Sequence, residues 1–125
     1  ETYRHATRVG HQALGPAYPS QRSLATAILF LLLPGERSEW HRVLSDELWF
    51  HHRGGPLRLS LGGAASAPSW TAEVVLGSDL EAGQRPQALV PGGYWQTASP
   101  LGDEAVLVSC VVTPGFEFED FTLAD

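Results

Sequence analysis

Apolar residues along this chain fall into short runs separated by Gly, Pro and small polar residues. Leu57-Arg58-Leu59-Ser60-Leu61 alternates with the period of two expected of a strand that buries one face. Residues 25–33 are a nine-residue apolar run stopped by Pro34-Gly35, and that length with that stop predicts a buried central strand rather than a helix. Between 47 and 52, Glu47, Trp49 and His51 alternate with Leu48, Phe50 and His52. Both sets carry aromatics, which predicts a strand covered on both sides, with a partner subunit supplying the second cover. Further strands are expected over 1–9, 70–76, 87–90, 94–98 and 105–112, with a loop over 62–69. Gly15, Pro16 and Pro19 make residues 10–22 irregular, and only 118–123 hints at a helix. About eight short strands with turns between them predict an all-β sandwich or jelly roll, with one or two short helices at most.

Composition narrows the class. Hydrophobic residues are 43% of 125 and aromatics 10%, enough to bury a core, so a single domain spanning 1–125 is expected. The 8 basic and 14 acidic residues leave a net charge of 8 − 14 = −6. The basic residues are scattered, so no cationic surface for nucleic acid is expected. The apolar runs fall well short of the roughly 20 residues of a membrane span, so no membrane partner is expected either. The one cysteine, Cys110, sits in the apolar run 105–112 and reads as a buried inert thiol, which fits a reducing cytoplasm. The chain has no Met and begins abruptly at Glu1, so the native start is expected to lie elsewhere.

Residues able to do chemistry concentrate in three places. One is Trp40-His41-Arg42-Val43 with Asp46 to His52, another is Tyr94-Trp95-Gln96, and the third is Tyr3-Arg4. Such residues are costly to bury unpaired.

The spacing of Gly35, His41, Glu47 and Gly54 resembles the first cupin motif, and Pro91-Gly92-Gly93-Tyr94-Trp95-Gln96 resembles the second. Further blocks, Glu1-Thr2-Tyr3-Arg4, residues 26–32, 40–43, 45–49, Pro114-Gly115-Phe116 and Asp120-Phe121, resemble the Cupin-5 family of RmlC-like cupins and span nearly the whole chain. The resemblance implies a double-stranded β-helix jelly roll, commonly dimeric, with an enclosed pocket in the barrel mouth. It implies no settled reaction. Members usually carry a glycine-rich block just before the Glu1 segment, and its absence implies trimming or loss. Members more often have His where this chain has Phe50, so a role for histidine there is void. Metal cupins present His-x-His, Glu and a later His. Here the second position is Val43 and the last is Gln96, so no metal and no other cofactor is expected.

Similarity to metal-free sugar-nucleotide epimerases makes His41 and Glu47 a candidate base and its carboxylate, with Tyr94, or less directly Tyr3, as the acid on the opposite face. Arg4, Trp49, His51, Gln87, Trp95 and Gln96 are the candidate ligand-binding residues around them. The structural alternatives are a His41 satisfied by a backbone carbonyl, a Glu47 paired with Arg4 or Arg42, and tryptophans that only pack. Three functions are therefore expected in descending order: a metal-independent isomerase or epimerase on a sugar-nucleotide-like or other small polar substrate, a non-catalytic binder of a sugar-like ligand, and a metal-dependent cupin enzyme.

Overall fold

A computed structural model describes residues 2–125, apart from the side chains of Thr2 and His11. Twelve strands follow one another: β1 (Thr2–Arg4), β2 (Arg8–Val9), β3 (Arg22–Ser23), β4 (Thr26–Leu32), β5 (Ser38–Arg42), β6 (Asp46–Gly54), β7 (Leu57–Leu61), β8 (Ala72–Leu76), β9 (Gln87–Val90), β10 (Gln96–Pro100), β11 (Val106–Thr113) and β12 (Thr122–Leu123). They form two five-stranded antiparallel sheets, ordered β1-β4-β11-β6-β9 and β12-β5-β10-β7-β8, and a small β2-β3 ribbon. Except for β7 and β8, neighbours in each five-stranded sheet are non-consecutive in sequence, as in a jelly roll.

The side chains that share a face follow the alternation, and the packing of the two sheets decides which face is inside. Leu32, Trp49, Val90, Val106, Val108 and Cys110 from the first sheet meet Leu57, Leu59, Leu76 and Ala98 from the second in one buried cluster. On β6, Glu47 and Trp49 are buried, whereas Leu48 and Phe50 on the opposite face are only half-buried. The apolar run of 25–33 is indeed a strand, but it lies second from one edge of its sheet. Its outward-facing Leu29 and Leu31 are 50% and 55% exposed.

Two local expectations change. A one-turn helix, α1 (His11–Leu14), fits before Gly15, whose φ of +87° ends it. The C-terminal stretch is a 3-10 turn, Phe118–Asp120, followed by β12 rather than one helix, because its polar groups are claimed by other strands. Gly54 closes the β6–β7 turn at φ +93°, where a Cβ would lie 1.9 Å from the Ala105 carbonyl oxygen. Gly92 is required by a similar close approach: a Cβ there would come 2.4 Å from the Leu44 oxygen, so the 91–95 loop could not lie against the β5–β6 connection.

Candidate functional site

Glu47 on β6 and Gln96 on β10 come from different sheets and meet across the barrel interior. The Gln96 amide nitrogen donates to Glu47 Oε1 at 2.7 Å, and the Trp49 indole N–H donates to Gln96 Oε1 at 2.9 Å. The amide orientation is thereby set, since its oxygen must accept from the indole and its nitrogen must donate to the carboxyl. Gln96 is 0%, Trp49 1% and Glu47 7% exposed, so the chain of bonds lies in a dry environment. The buried Cys110 thiol lies beside the same carboxyl. Burial pushes the Glu47 carboxyl above the usual carboxylate range, outweighing the opposing bonds from Gln96 and Cys110. The Cys110 thiol is raised well above its ordinary value, chiefly by burial and secondarily by the Glu47 charge, which keeps it an unreactive S–H.

His41 stands beside this chain, as the cross-strand partner of Gln96 in the β5–β10 pair. A bulge at that pair inserts one extra residue in β5. Its neighbours turn to the outer side. The Arg42 guanidinium lies 4.5 Å from the Trp95 ring centroid, and Trp40 packs over Gly62. His41 therefore faces the same side as Gln96. Its Nδ1 lies 2.7 Å from the Glu39 carbonyl oxygen, which can only accept, so Nδ1 carries the proton and Nε2 is left with a free lone pair. Burial holds its pKa below 6.5, against the smaller upward pull of the Glu39 carbonyl, and the imidazole is neutral at pH 7. The Phe121 ring stacks on it, with centroids 5.3 Å apart and planes 23° apart.

The candidates thus divide. The structure brings together His41, Glu47, Trp49 and Gln96, and places the Tyr94 ring against the same core cluster. His41 takes its orientation from a backbone carbonyl and not from Glu47, so the direct His–carboxylate pair is replaced by His41 next to Gln96 and Gln96 bonded to Glu47. Five others lie elsewhere. Arg4 pairs with Glu117 at 3.2 Å and faces an open groove of about 760 Å³ shared with Arg8, Ser20 and Glu119. Gln87 faces a second groove, of about 570 Å³, beside Leu48 and Leu89 on the far side of β6. His51 has inward parity but is held by the Gly55 carbonyl at 2.9 Å, and Trp95 is roofed by the 62–69 loop, its indole donating to the Ala65 carbonyl at 2.9 Å. Tyr3 is 56% exposed on the outer sheet face.

Sequence reasoning did not single out Phe121 as the cover of His41, or Arg22. That arginine is fully buried, paired with Asp120 and set against the Tyr18 ring at 4.7 Å. Neither gives a periodic signal, because both act across loops; Phe121 lay only inside a motif block.

The cupin metal positions do not fit a cation. Val43 is buried and has no donor atom, Gln96 Oε1 is taken by Trp49, and Glu47 Oε1 is taken by Gln96. Among the described residues, no three His, Cys, Asp or Glu side chains converge. Among these residues, too, no helix is long and apolar enough to cross a membrane.

Residues 1–124 match the model of Cupin_5, described as Cupin superfamily (DUF985). No curated protein matches the chain. Among solved structures, a protein from Shewanella oneidensis is 40% identical, with a TM-score of 0.78 over 97% of this chain and 69% of its own. A hypothetical protein from Leishmania major is 32% identical, with a TM-score of 0.80 over 96% of this chain and 73% of its own. A dTDP sugar isomerase from Desulfovibrio desulfuricans G20 is 16% identical, with a TM-score of 0.69 over 100% of this chain and 83% of its own, a likeness of fold alone.

Proposed function

The chain belongs to the Cupin_5 family of the cupin superfamily, and from that premise we propose that its barrel mouth binds a small polar, sugar-like molecule and moves a proton on it without a metal. The observation that carries this reading is the neutral His41, with Nδ1–H committed to the Glu39 carbonyl and Nε2 free to accept. A neutral imidazole of this kind is suited to taking a proton from carbon next to a carbonyl near pH 7. The electron pair of the broken C–H bond moves into the carbonyl, giving an enolate, and a proton returned from the opposite face inverts the centre. Tyr94 is the candidate acid for that return. Gln96, 0% exposed, and Glu47, 7% exposed, serve as positioning residues that hold β10 and β6 in place beside His41.

A second reading, binding without turnover, is favoured by one observation. Glu47 is engaged by Gln96 and is not bonded to His41, so the imidazolium formed on proton transfer has no bonded carboxylate to steady it. Incubation in heavy water with a panel of nucleoside diphosphate keto-sugars, which carry the carbonyl the step needs, dTDP-keto-sugars included because a dTDP sugar isomerase shares the fold, separates the two. Deuterium appearing next to the carbonyl, and lost in His41→Ala, supports the isomerase reading. Saturable binding with no exchange supports the module. Neither binding nor exchange across the panel overturns the sugar-nucleotide form of the proposal.

The outer face of the β1-β4-β11-β6-β9 sheet is read as a homodimer surface. Tyr3, Leu29, Leu31 and Leu89 are 49% to 56% exposed there. Five strands about 4.8 Å apart and on average about six residues long at about 3.3 Å each give a face of roughly 490 Å² in projection. That is the scale at which one partner of a standard interface contributes about 800 Å² of accessible area. A second copy of the same face is self-complementary under two-fold symmetry.

A further inference from the structure

We propose that residues 121–125 are a lid over His41, hinged on the 117–120 turn, and that the site opens by local release of this segment while the barrel stays folded. The hinge is firmly held. Gly115 N–H donates to the Ser23 carbonyl at 2.8 Å, Phe116 N–H to Thr26 Oγ1 at 3.0 Å, and Arg4 donates to the Phe116 carbonyl at 3.1 Å. Arg22, fully buried, pairs with Asp120 and lies 3.8 Å from Glu119, which also accepts from Ser20. Asp120 Oδ2 in turn accepts from Glu117 N–H at 3.2 Å, closing the turn on itself.

Beyond Asp120 the attachment weakens abruptly. β12 contributes two residues to the edge of β5, pairing Thr122 with Arg42 and Leu123 with His41, and Ala124 N–H donates to the Trp40 carbonyl at 3.0 Å. Leu123 is 56% and Phe121 39% exposed, so the segment buries little apolar surface. A segment with few buried contacts and edge-exposed backbone bonds belongs to the low-stability end of the opening spectrum, whereas its hinge is tied by buried charge and backbone bonds. The Phe121 ring is the part of the lid that lies on His41. In the closed state the imidazole face is covered by Phe121, and a molecule that stacks on it must displace that ring. The proposal takes its functional meaning from the reading of His41 as the site, but it is tested without any ligand.

The test is carbethoxylation of histidines by diethyl pyrocarbonate in the intact protein, followed by peptide mass spectrometry. Phe121→Ala is expected to raise the His41 rate by about fivefold or more, leaving His51 and His52 within about twofold of wild type, because only the lid has been loosened. An unchanged His41 rate with unchanged His51 and His52 rates overturns the lid. Wild-type hydrogen exchange guards against a variant that misfolds. Ala124 N–H is expected to exchange at least about a hundredfold faster than Gly115 N–H, through an opening that does not expose the β11 amides. Equal protection of Ala124 and β11 means that the segment opens only with the whole fold, and that result also overturns the proposal. Failure to find a sugar ligand touches neither outcome.

Discussion

Replacing Gln96 by Leu removes both bonds that tie the two sheets together inside the barrel while keeping its volume nearly constant. Two groups are then stranded: the Trp49 indole N–H, 1% exposed, and Glu47 Oε1 on a residue 7% exposed. An orphaned buried donor costs about 1–3 kcal/mol and an orphaned carboxyl oxygen rather more, whereas the added apolar surface returns about 1 kcal/mol. The net loss is about 3–4 kcal/mol, a large share of the roughly 5–15 kcal/mol that holds a typical domain together. The double variant Gln96→Leu with Glu47→Leu strands the indole and the weakly donating Cys110 thiol, and both partners of the central bond are then gone together. It is expected to be less destabilised than the sum of the singles, with a coupling of about 2 kcal/mol. Urea denaturation followed by circular dichroism measures all four corners without relying on Trp49 fluorescence. A loss below about 1 kcal/mol for Gln96→Leu, or singles that add within about 0.5 kcal/mol, refutes the buried hydrogen-bonded chain.

Three further outcomes follow from the same structure. Because burial raises the Glu47 pKa, the folded state holds its proton more tightly than the unfolded state, and stability is lost as pH rises from the ordinary value of 4.5 through the raised one. The slope reaches at most about 1.4 kcal/mol per pH unit for one proton, and Glu47→Gln is expected to abolish it. His41, held below 6.5, contributes the opposite slope as pH falls below that value, so the readout is the difference between wild type and Glu47→Gln in denaturation at each pH; an identical pH profile contradicts the assignment. Arg22→Met strands the buried Asp120 carboxylate, one of whose oxygens already has no partner, and is expected to cost about 3–5 kcal/mol in thermal or urea unfolding, against under about 1 kcal/mol for the exposed Arg37→Met. Leu31→Arg, on the outer sheet face, is expected to convert a dimer to a folded monomer in sedimentation velocity, and a wild-type monomer at micromolar concentration refutes the homodimer.

The strands and their inner faces were legible because period-two alternation is a local signal. Leu57–Leu61 and Gln87–Val90 appear with the predicted limits, and Glu47 and Trp49 share one face as their parity requires, although which face is inside shows only in the structure. Side-chain partners were less so, since they depend on which strands cross the barrel. Nothing along the chain says that Gln96 lies against Glu47 while Gln87, also at a strand, points to the outer groove. Arg4 and Arg42 were weighed as partners for Glu47, yet Arg4 is drawn to Glu117 and Arg42 to the Trp95 ring, because residues 114–125 fold back along β1 and β5. The same return explains Phe121. A stack between residues 80 positions apart leaves no periodic trace, and it is visible only once β12 is placed on the edge of β5.

The measurement that bears most directly on the central claim is a titration watched at the histidine ring nitrogens by long-range nitrogen–proton NMR. In the free protein at pH 7, His41 is predicted to be neutral with the proton on Nδ1 and an unprotonated Nε2. A nucleoside diphosphate sugar that binds is predicted to shift the Nε2 resonance while leaving those of His51 and His52 in place. An imidazolium, an Nε2–H tautomer, or ligand shifts confined to the outer grooves with His41 unmoved would contradict the account.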